Sequence, residues 1–141
     1  MKSPLRRRSN FAHLRYRRAT PEHDEQAALV AWARVAEAQH PELRLLYAIP
    51  NGGFRSAKTA IAMKAEGVKR GIPDLHFPFP SKDKMHCGMW IEMKATGTGR
   101  ISPIQKEVHE LLRGIGHVVV VAYTATEAMQ AICNYMDWDN S

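Results

Sequence analysis

Two short stretches decide the fold, Gly71-Ile72-Pro73-Asp74-Leu75 and Trp90-Ile91-Glu92-Met93-Lys94. Both read as the strands of a buried sheet, yet charged residues stand where a core strand should be apolar. Side chains alternate between the two faces of a strand, so Glu92 and Lys94 point to the same face, roughly 7 Å apart. Antiparallel pairing of the two strands can bring Asp74 beside Glu92. Two carboxylates and one ammonium group would then meet at one end of the sheet.

These three charged residues have the composition of a hydrolytic metal centre. Two close carboxylates repel each other unless a proton or a cation lies between them. Mg²⁺ takes one or two carboxylates and leaves its other positions to water and substrate phosphate. A metal-bound water can attack near neutral pH, and Lys94 could orient it or offset charge on the phosphorus. The same spacing is also compatible with a surface salt bridge among three exposed side chains.

Outward from these stretches, helical and strand patterns alternate. Helices are predicted over residues 20–39, 54–66, 102–114 and from 124 onward, and strands over 44–49, 72–77, 89–94 and 118–122. The run at 118–122 is apolar throughout, typical of a strand buried on both faces. The helix predicted at 54–66 has Ala57, Ile61 and Ala65 on one face. The order predicts an α/β domain with a mixed sheet flanked by helices, in which 72–77 is antiparallel and 118–122 parallel to 89–94.

Two of these helices carry further candidate site residues. Glu25 is in line with Leu29, Trp32 and Ala36, the predicted inward stripe of the first helix. It could supply a third carboxylate, or it could only stabilise the positive end of its helix. Gln105 completes an S-x-x-Q pattern, a capping box in which Gln bonds back to the backbone of the Ser. It could instead contact the scissile phosphate or the attacking water.

The charge of the chain is concentrated at its start. The 141 residues have a net charge of +6, from 20 Lys and Arg against 14 Asp and Glu. Seven of those basic residues and no acid lie in the first 20 residues, so the remainder is close to neutral. We expect residues 1–19 to form a flexible basic arm and 20–141 to form the domain. Such an arm favours a polyanionic partner, most commonly nucleic acid. Its arginines are Arg6, Arg7, Arg8, Arg15, Arg17 and Arg18.

Several function classes are excluded by composition. No run of 18 or more apolar residues exists, so a membrane span is not expected, and no secretory signal follows the basic start. Cys87 and Cys133 are far apart and lack a CxxC pattern, which argues against a disulfide framework or a structural zinc site. We expect a reducing cytoplasm.

Residues 21–136 resemble the virus-type replication-repair nuclease (VRR-NUC) domain of the PD-(D/E)xK superfamily. A lone PD…ExK is a weak signal, but the ordered set of matching motifs is a strong one. These are His23-Asp24-Glu25-Gln26, Pro50-Asn51-Gly52-Gly53 with Arg55, Gly67 and Gly71-Ile72-Pro73-Asp74-Leu75, Glu92-Met93-Lys94, Gly99 with Ser102 and Gln105, and Gly116-His117-Val118.

The resemblance implies a restriction-endonuclease-like core and a Mg²⁺- or Mn²⁺-dependent DNA nuclease that leaves a 5′-phosphate and a 3′-hydroxyl. It implies that Asp74, Glu92 and the Met93 carbonyl hold the metal, and that Lys94 is the catalytic lysine. Glu25 would be a ligand or supporter of a second metal, and Gln105 an active-site helper. The phosphate-binding residues would be Arg55 and, more loosely, Lys58, Lys64, Lys69 and Arg70.

The resemblance also implies a substrate, an assembly and a bacterial or phage-infected cell. Single-domain members are similar to Holliday-junction resolvases, so we expect structured or branched DNA in replication, repair or recombination, and a homodimer. The alternative is a DNA-binding module of the same fold that has lost turnover. The intact Asp74, Glu92 and Lys94 argue against that alternative. A third hypothesis is a basic RNA-associated protein that works only through its arm.

Overall fold

The computed structural model describes residues 21–50 and 56–139. The basic arm, the Asn51-Gly52-Gly53 motif and Arg55 lie outside the described residues. The elements, in chain order, are α1 (Pro21–Ala36), a 3-10 helix (Pro41–Leu45), β1 (Tyr47–Ala48), α2 (Ala57–Ala65), β2 (Leu75–Phe77), β3 (Gly88–Met93), α3 (Pro103–Gly114), β4 (His117–Ala122) and α4 (Ala125–Met136).

The described strands form one mixed sheet in the order β1-β2-β3-β4. β2 is antiparallel to β1 and to β3, whereas β4 is parallel to β3 and follows the crossover helix α3. This confirms the predicted α/β class and both predicted pairings. Leu75 is the partner of Ile91, so the next pair along the two antiparallel strands is Asp74 with Glu92. The register therefore brings the two acids together.

The alternation of side chains along β3 separates a core face from a site face. Ile91 and Met93 point into the core with Leu75 and Phe77, and α1 and α4 contribute Leu29 and Ile132 to the same cluster. Glu92 lies between two core residues and therefore points to the other face, where α3 packs. The sheet thus holds a charged residue rigidly between two anchors of the hydrophobic core.

The starts of α3 and α4 follow from local sequence. Ser102 is the N-cap of α3, Pro103 occupies its first turn, and Gln105 completes the predicted capping box. Thr124 caps α4 by accepting a hydrogen bond from the Glu127 amide at 3.1 Å. Both helices therefore begin at fixed positions.

Three predicted elements differ from the observed ones. The strand predicted at 44–49 is only the pair Tyr47–Ala48, because residues 41–45 form a 3-10 helix that begins at a proline. β2 begins at Leu75 rather than at residue 72, because Pro73 has no amide to donate to the ladder. The apolar run of β4 is only partly buried: Val118, Val120 and Val121 remain half-exposed, since β4 ends the described sheet.

The apolar face of α2 is not buried. Ile61 is 71% exposed, and no residue of the helix is buried. Instead Ala60, Met63 and Lys64 line an open cleft, so α2 forms a wall of the cleft rather than a layer of the core.

No helix in the described part of the chain is long and apolar enough to cross a membrane.

Candidate active site

A cleft of about 1050 Å³ opens at the end of the sheet where β3 finishes. Its walls are the first turns of α1, the helix α2 with the loop that follows it, and the start of α3. Gly71 lets that loop pack closely against α3: it adopts a φ of +87°, and a Cβ there would lie 3.0 Å from the Ile104 carbonyl oxygen. Asp74, Glu92, Met93, Lys94 and Gln105 all line the cleft.

Asp74 and Glu92 form a close pair of carboxyl groups at the floor of the cleft. Asp74 Oδ2 accepts a hydrogen bond of 2.7 Å from the Met93 amide, which fixes its side chain against β3. Glu92 is only 2% exposed. Burial, followed by the charge of Asp74, raises the pKa of Glu92 to about 7. Burial likewise raises the pKa of Asp74. The positive charge near the two carboxyl groups is therefore too small to keep both of them fully ionised at neutral pH.

Lys94 and Gln105 both contact the same oxygen of Glu92, Oε1, and they also contact each other. Lys94 Nζ lies 3.2 Å from Glu92 Oε1 and donates to Gln105 Oε1 at 3.1 Å. Gln105 Nε2 donates to the same Glu92 oxygen at 2.9 Å. Gln105 Oε1 also accepts from the Ser102 amide at 2.9 Å. Gln105 is thus both a capping residue and a site residue, so the two predicted roles are compatible.

His109 is a further residue at the site, and none of the sequence patterns described above singled it out. It is 2% exposed, and its Nε2 lies 3.7 Å from Glu92 Oε2. Burial, together with the charges of Arg113 and Lys94, lowers its pKa. The available signal was its spacing: His109 follows Gln105 by four residues, so both lie on one face of α3.

The carboxylate pair is suited to a hard divalent cation. Mg²⁺ and Mn²⁺ need only one or two carboxylates when water and phosphate complete the shell. No cluster of three or more His, Cys, Asp or Glu arranged for a metal occurs in residues 21–50 and 56–139. The Met93 side chain is in the core, so the backbone of this residue is what faces the cleft. Raised pKa values at two adjacent carboxyl groups are also typical of a carboxylate pair that is arranged to bind a cation.

The structure places Glu25 outside the cleft. Its Oε2 accepts a hydrogen bond of 2.5 Å from the Ala125 amide, at the positive end of α4. Glu25 thus stabilises a helix start, although the helix is α4 rather than its own. Glu22, one turn earlier, lines the cleft, and its charge contributes to the raised pKa of Asp74. Gln26 lies in the cleft with it.

The basic candidates divide into two groups. Lys64, Lys69 and Arg70 line the cleft, whereas Lys58 is exposed and does not. Arg100, which was not predicted, also lines it, and its guanidinium donates to the carbonyls of two residues of the preceding turn at 3.0 and 3.3 Å. Gly99 makes that turn possible, because a Cβ there would lie 2.7 Å from the Ala95 backbone.

Comparisons with known proteins agree with this fold. A solved structure described as a VRR_NUC domain protein aligns with a TM-score of 0.68 at 26% sequence identity, covering 84% of this chain and 90% of that one. No curated protein matches the chain at a significant level. The family model of the VRR-NUC domain matches residues 9–126, a range that contains all the cleft residues named above. The chain therefore belongs to the VRR-NUC family, and it is a nuclease-type domain.

Proposed function

We propose that this chain is a Mg²⁺- or Mn²⁺-dependent DNA nuclease that hydrolyses phosphodiester bonds. The observation that carries the proposal is the convergence of Asp74, Glu92 and Lys94 in one cleft, with both acids raised in pKa. Asp74, Glu92 and the Met93 carbonyl would hold the ion. Glu22, in place of Glu25, would support a second one. Such an ion makes a coordinated water more acidic and offsets charge on a phosphate.

The protein's own groups would then orient the reactants. Gln105 and Glu92 fix the Lys94 ammonium, which is only 11% exposed, and its charge is available to the attacking water or to the phosphoryl oxygens. Water would form the new bond to phosphorus as the P–O3′ bond breaks and the departing oxygen takes up a proton. The products would be a 5′-phosphate and a 3′-hydroxyl.

The substrate would be anchored through its backbone. Lys64, Lys69, Arg70 and Arg100 lie around the cleft, where phosphates on either side of the scissile bond could pair with them. We propose structured or branched DNA as the substrate and a homodimer as the active assembly, since two copies would present two clefts to one branched duplex. Cleavage of a panel of duplex, flap and four-way substrates, with sedimentation of the free protein, tests both statements.

The decisive test compares Lys94→Ala with Lys106→Ala. Lys106 is an exposed lysine of α3 outside the cleft, so its variant controls for the loss of one positive charge. We expect Mn²⁺-dependent cleavage by the wild type and by Lys106→Ala, and its loss in Lys94→Ala. Equal cleavage by all three proteins would overturn the catalytic assignment. DNA binding without cleavage by the wild type would favour the silent binding module instead.

A further inference from the structure

Glu92 and His109 are neighbouring buried side chains, and each has a polar atom that forms no hydrogen bond within the described residues. In the described part of the chain only three polar or charged residues are buried: Ser81, Glu92 and His109. Among those described residues, no hydrogen-bond partner exists for Glu92 Oε2 or for His109 Nε2, and the two atoms are 3.7 Å apart. Because an unmade buried hydrogen bond is costly, such a pair calls for an explanation.

We propose that His109 is a positioning residue for Glu92, and that its Nε2–H donates to Glu92 Oε2 when the carboxylate binds a divalent ion. This inference rests on the proposed nuclease function. Nε2 can carry a proton in both the neutral and the charged imidazole, so the ring is able to donate in either state. A hydrogen bond to one carboxylate oxygen restricts rotation of the group and fixes the direction in which its lone pairs point.

The position of His109 on α3 makes this role geometrically natural. Gln105 and His109 are four residues apart and meet the two different oxygens of Glu92, at 2.9 Å and 3.7 Å. The Ser102 capping box fixes the first turn of this helix. α3 therefore presents two groups to one carboxylate from a rigid element. The 3.7 Å separation is longer than a hydrogen bond, so Nε2 and Oε2 must approach each other by about 0.5 Å for the bond to form.

A purely structural role does not explain an imidazole at this position. A buried site that serves packing alone favours an apolar side chain, because burial of an unpaired N–H opposes folding. The charged groups that lower the pKa of His109 are Arg113 and Lys94, and neither cation can accept a hydrogen bond, whereas Glu92 Oε2 is an acceptor 3.7 Å from Nε2. The donor therefore has a purpose only if Glu92 must be held.

The test measures the affinity for Mn²⁺ alone, by calorimetry on the full chain, for wild type, His109→Gln, His109→Phe and His109→Leu. Gln places an amide N–H close to the position of Nε2, whereas Phe and Leu fill the space without a donor. His86→Ala, which removes an exposed histidine, is the control. We expect the apolar variants to unfold cooperatively and to bind Mn²⁺ about ten- to a hundredfold more weakly. His109→Gln should stay within about threefold of the wild type, because it retains the donor.

Cleavage gives a second readout. Excess Mn²⁺ should restore most of the turnover of the apolar variants, since their defect is in holding the ion. Wild-type affinity in a folded apolar variant, an equal loss in His109→Gln, or failure of both apolar variants to fold would each overturn the role of His109. No binding of Mn²⁺ by the wild type would instead overturn the proposed function itself.

Discussion

Replacing Glu92 with glutamine should stabilise the metal-free protein at the expense of its chemistry. Glu92 is buried against Asp74, and its pKa is about 7 instead of 4.5. Each unit of pKa corresponds to about 1.4 kcal/mol, so ionising Glu92 in the folded protein costs about 3 kcal/mol. Part of this cost is shared with Asp74, because the two groups titrate together. We therefore expect Glu92→Gln to be about 2–3 kcal/mol more stable than the wild type at pH 8.

The sign of the pH dependence follows from the raised pKa. In the folded state Glu92 keeps its proton to a higher pH than in the unfolded state. The contribution of Glu92 to the free energy of unfolding is therefore complete below pH 4.5 and is lost as the pH rises to about 7. The free energy of unfolding of the metal-free wild type should fall across this range. That of Glu92→Gln should change much less, and the two curves should converge near pH 4.5.

Urea denaturation in EDTA between pH 4.5 and 8, followed by circular dichroism, measures both curves. Glu107→Gln, which neutralises an exposed glutamate of α3, is the matched control and should follow the wild type. Mn²⁺ at pH 8 should raise the midpoint of the wild type and leave that of Glu92→Gln unchanged. The reasoning is refuted if Glu92→Gln is no more stable than the wild type at pH 8, or if wild-type stability rises from pH 5 to pH 7.

Three further outcomes separate structural from functional residues. Glu25→Ala should lower the free energy of unfolding in urea by about 1–2 kcal/mol and retain cleavage, because it removes a charged cap from α4. Glu22→Gln should keep its stability and lose cleavage. Equal effects of the two variants would contradict the assignment of Glu25 to structure and of Glu22 to the cleft. Gln105→Ala should lose about 1 kcal/mol from the capping box and also lose cleavage; loss of only one would show that its two roles are separable. Arg100→Ala should reduce the log–log salt dependence of DNA binding by about one, whereas Lys58→Ala should leave it unchanged; the reverse result would exclude the cleft as the path of the backbone.

The centre of the site could be predicted because strand geometry is restrictive. A period of two places Glu92 and Lys94 on one face, and the short connection to β2 favours antiparallel pairing, which brings in Asp74. The result is the observed register of Leu75 with Ile91. Strand periodicity therefore placed these side chains without any knowledge of the helices around them.

Helix periodicity was less restrictive, and it did not distinguish Glu25 from Glu22 as the residue that faces the cleft. Two lines of residues at offsets of four, seven and eleven cross at Leu29: one begins at Glu25 and the other at Glu22. The second line contains Gln26 and the buried Ala33, and it leads from the cleft into the core. The two lines are rotated about the helix axis by less than the angle between consecutive residues. Only the packing of α1 against α4 therefore decides which line faces the core.

Arg100 was missed for a different reason. It lies in a glycine-containing turn, where neither period applies and where direction is set by local hydrogen bonds to backbone carbonyls. The spacing of apolar residues in α2 does not determine their environment, because small apolar side chains at helical spacing can border an open cleft as well as a core.

The contact between Glu25 and the Ala125 amide joins positions 100 residues apart. During synthesis, the carboxylate emerges from the ribosome long before its partner exists, and the nascent chain cannot close this link until the start of α4 is available. Folding of the domain is consequently slowed, because it requires contacts between residues that are far apart in the sequence. A half-made chain therefore lacks this link, and its α1 lacks α4 as a packing partner.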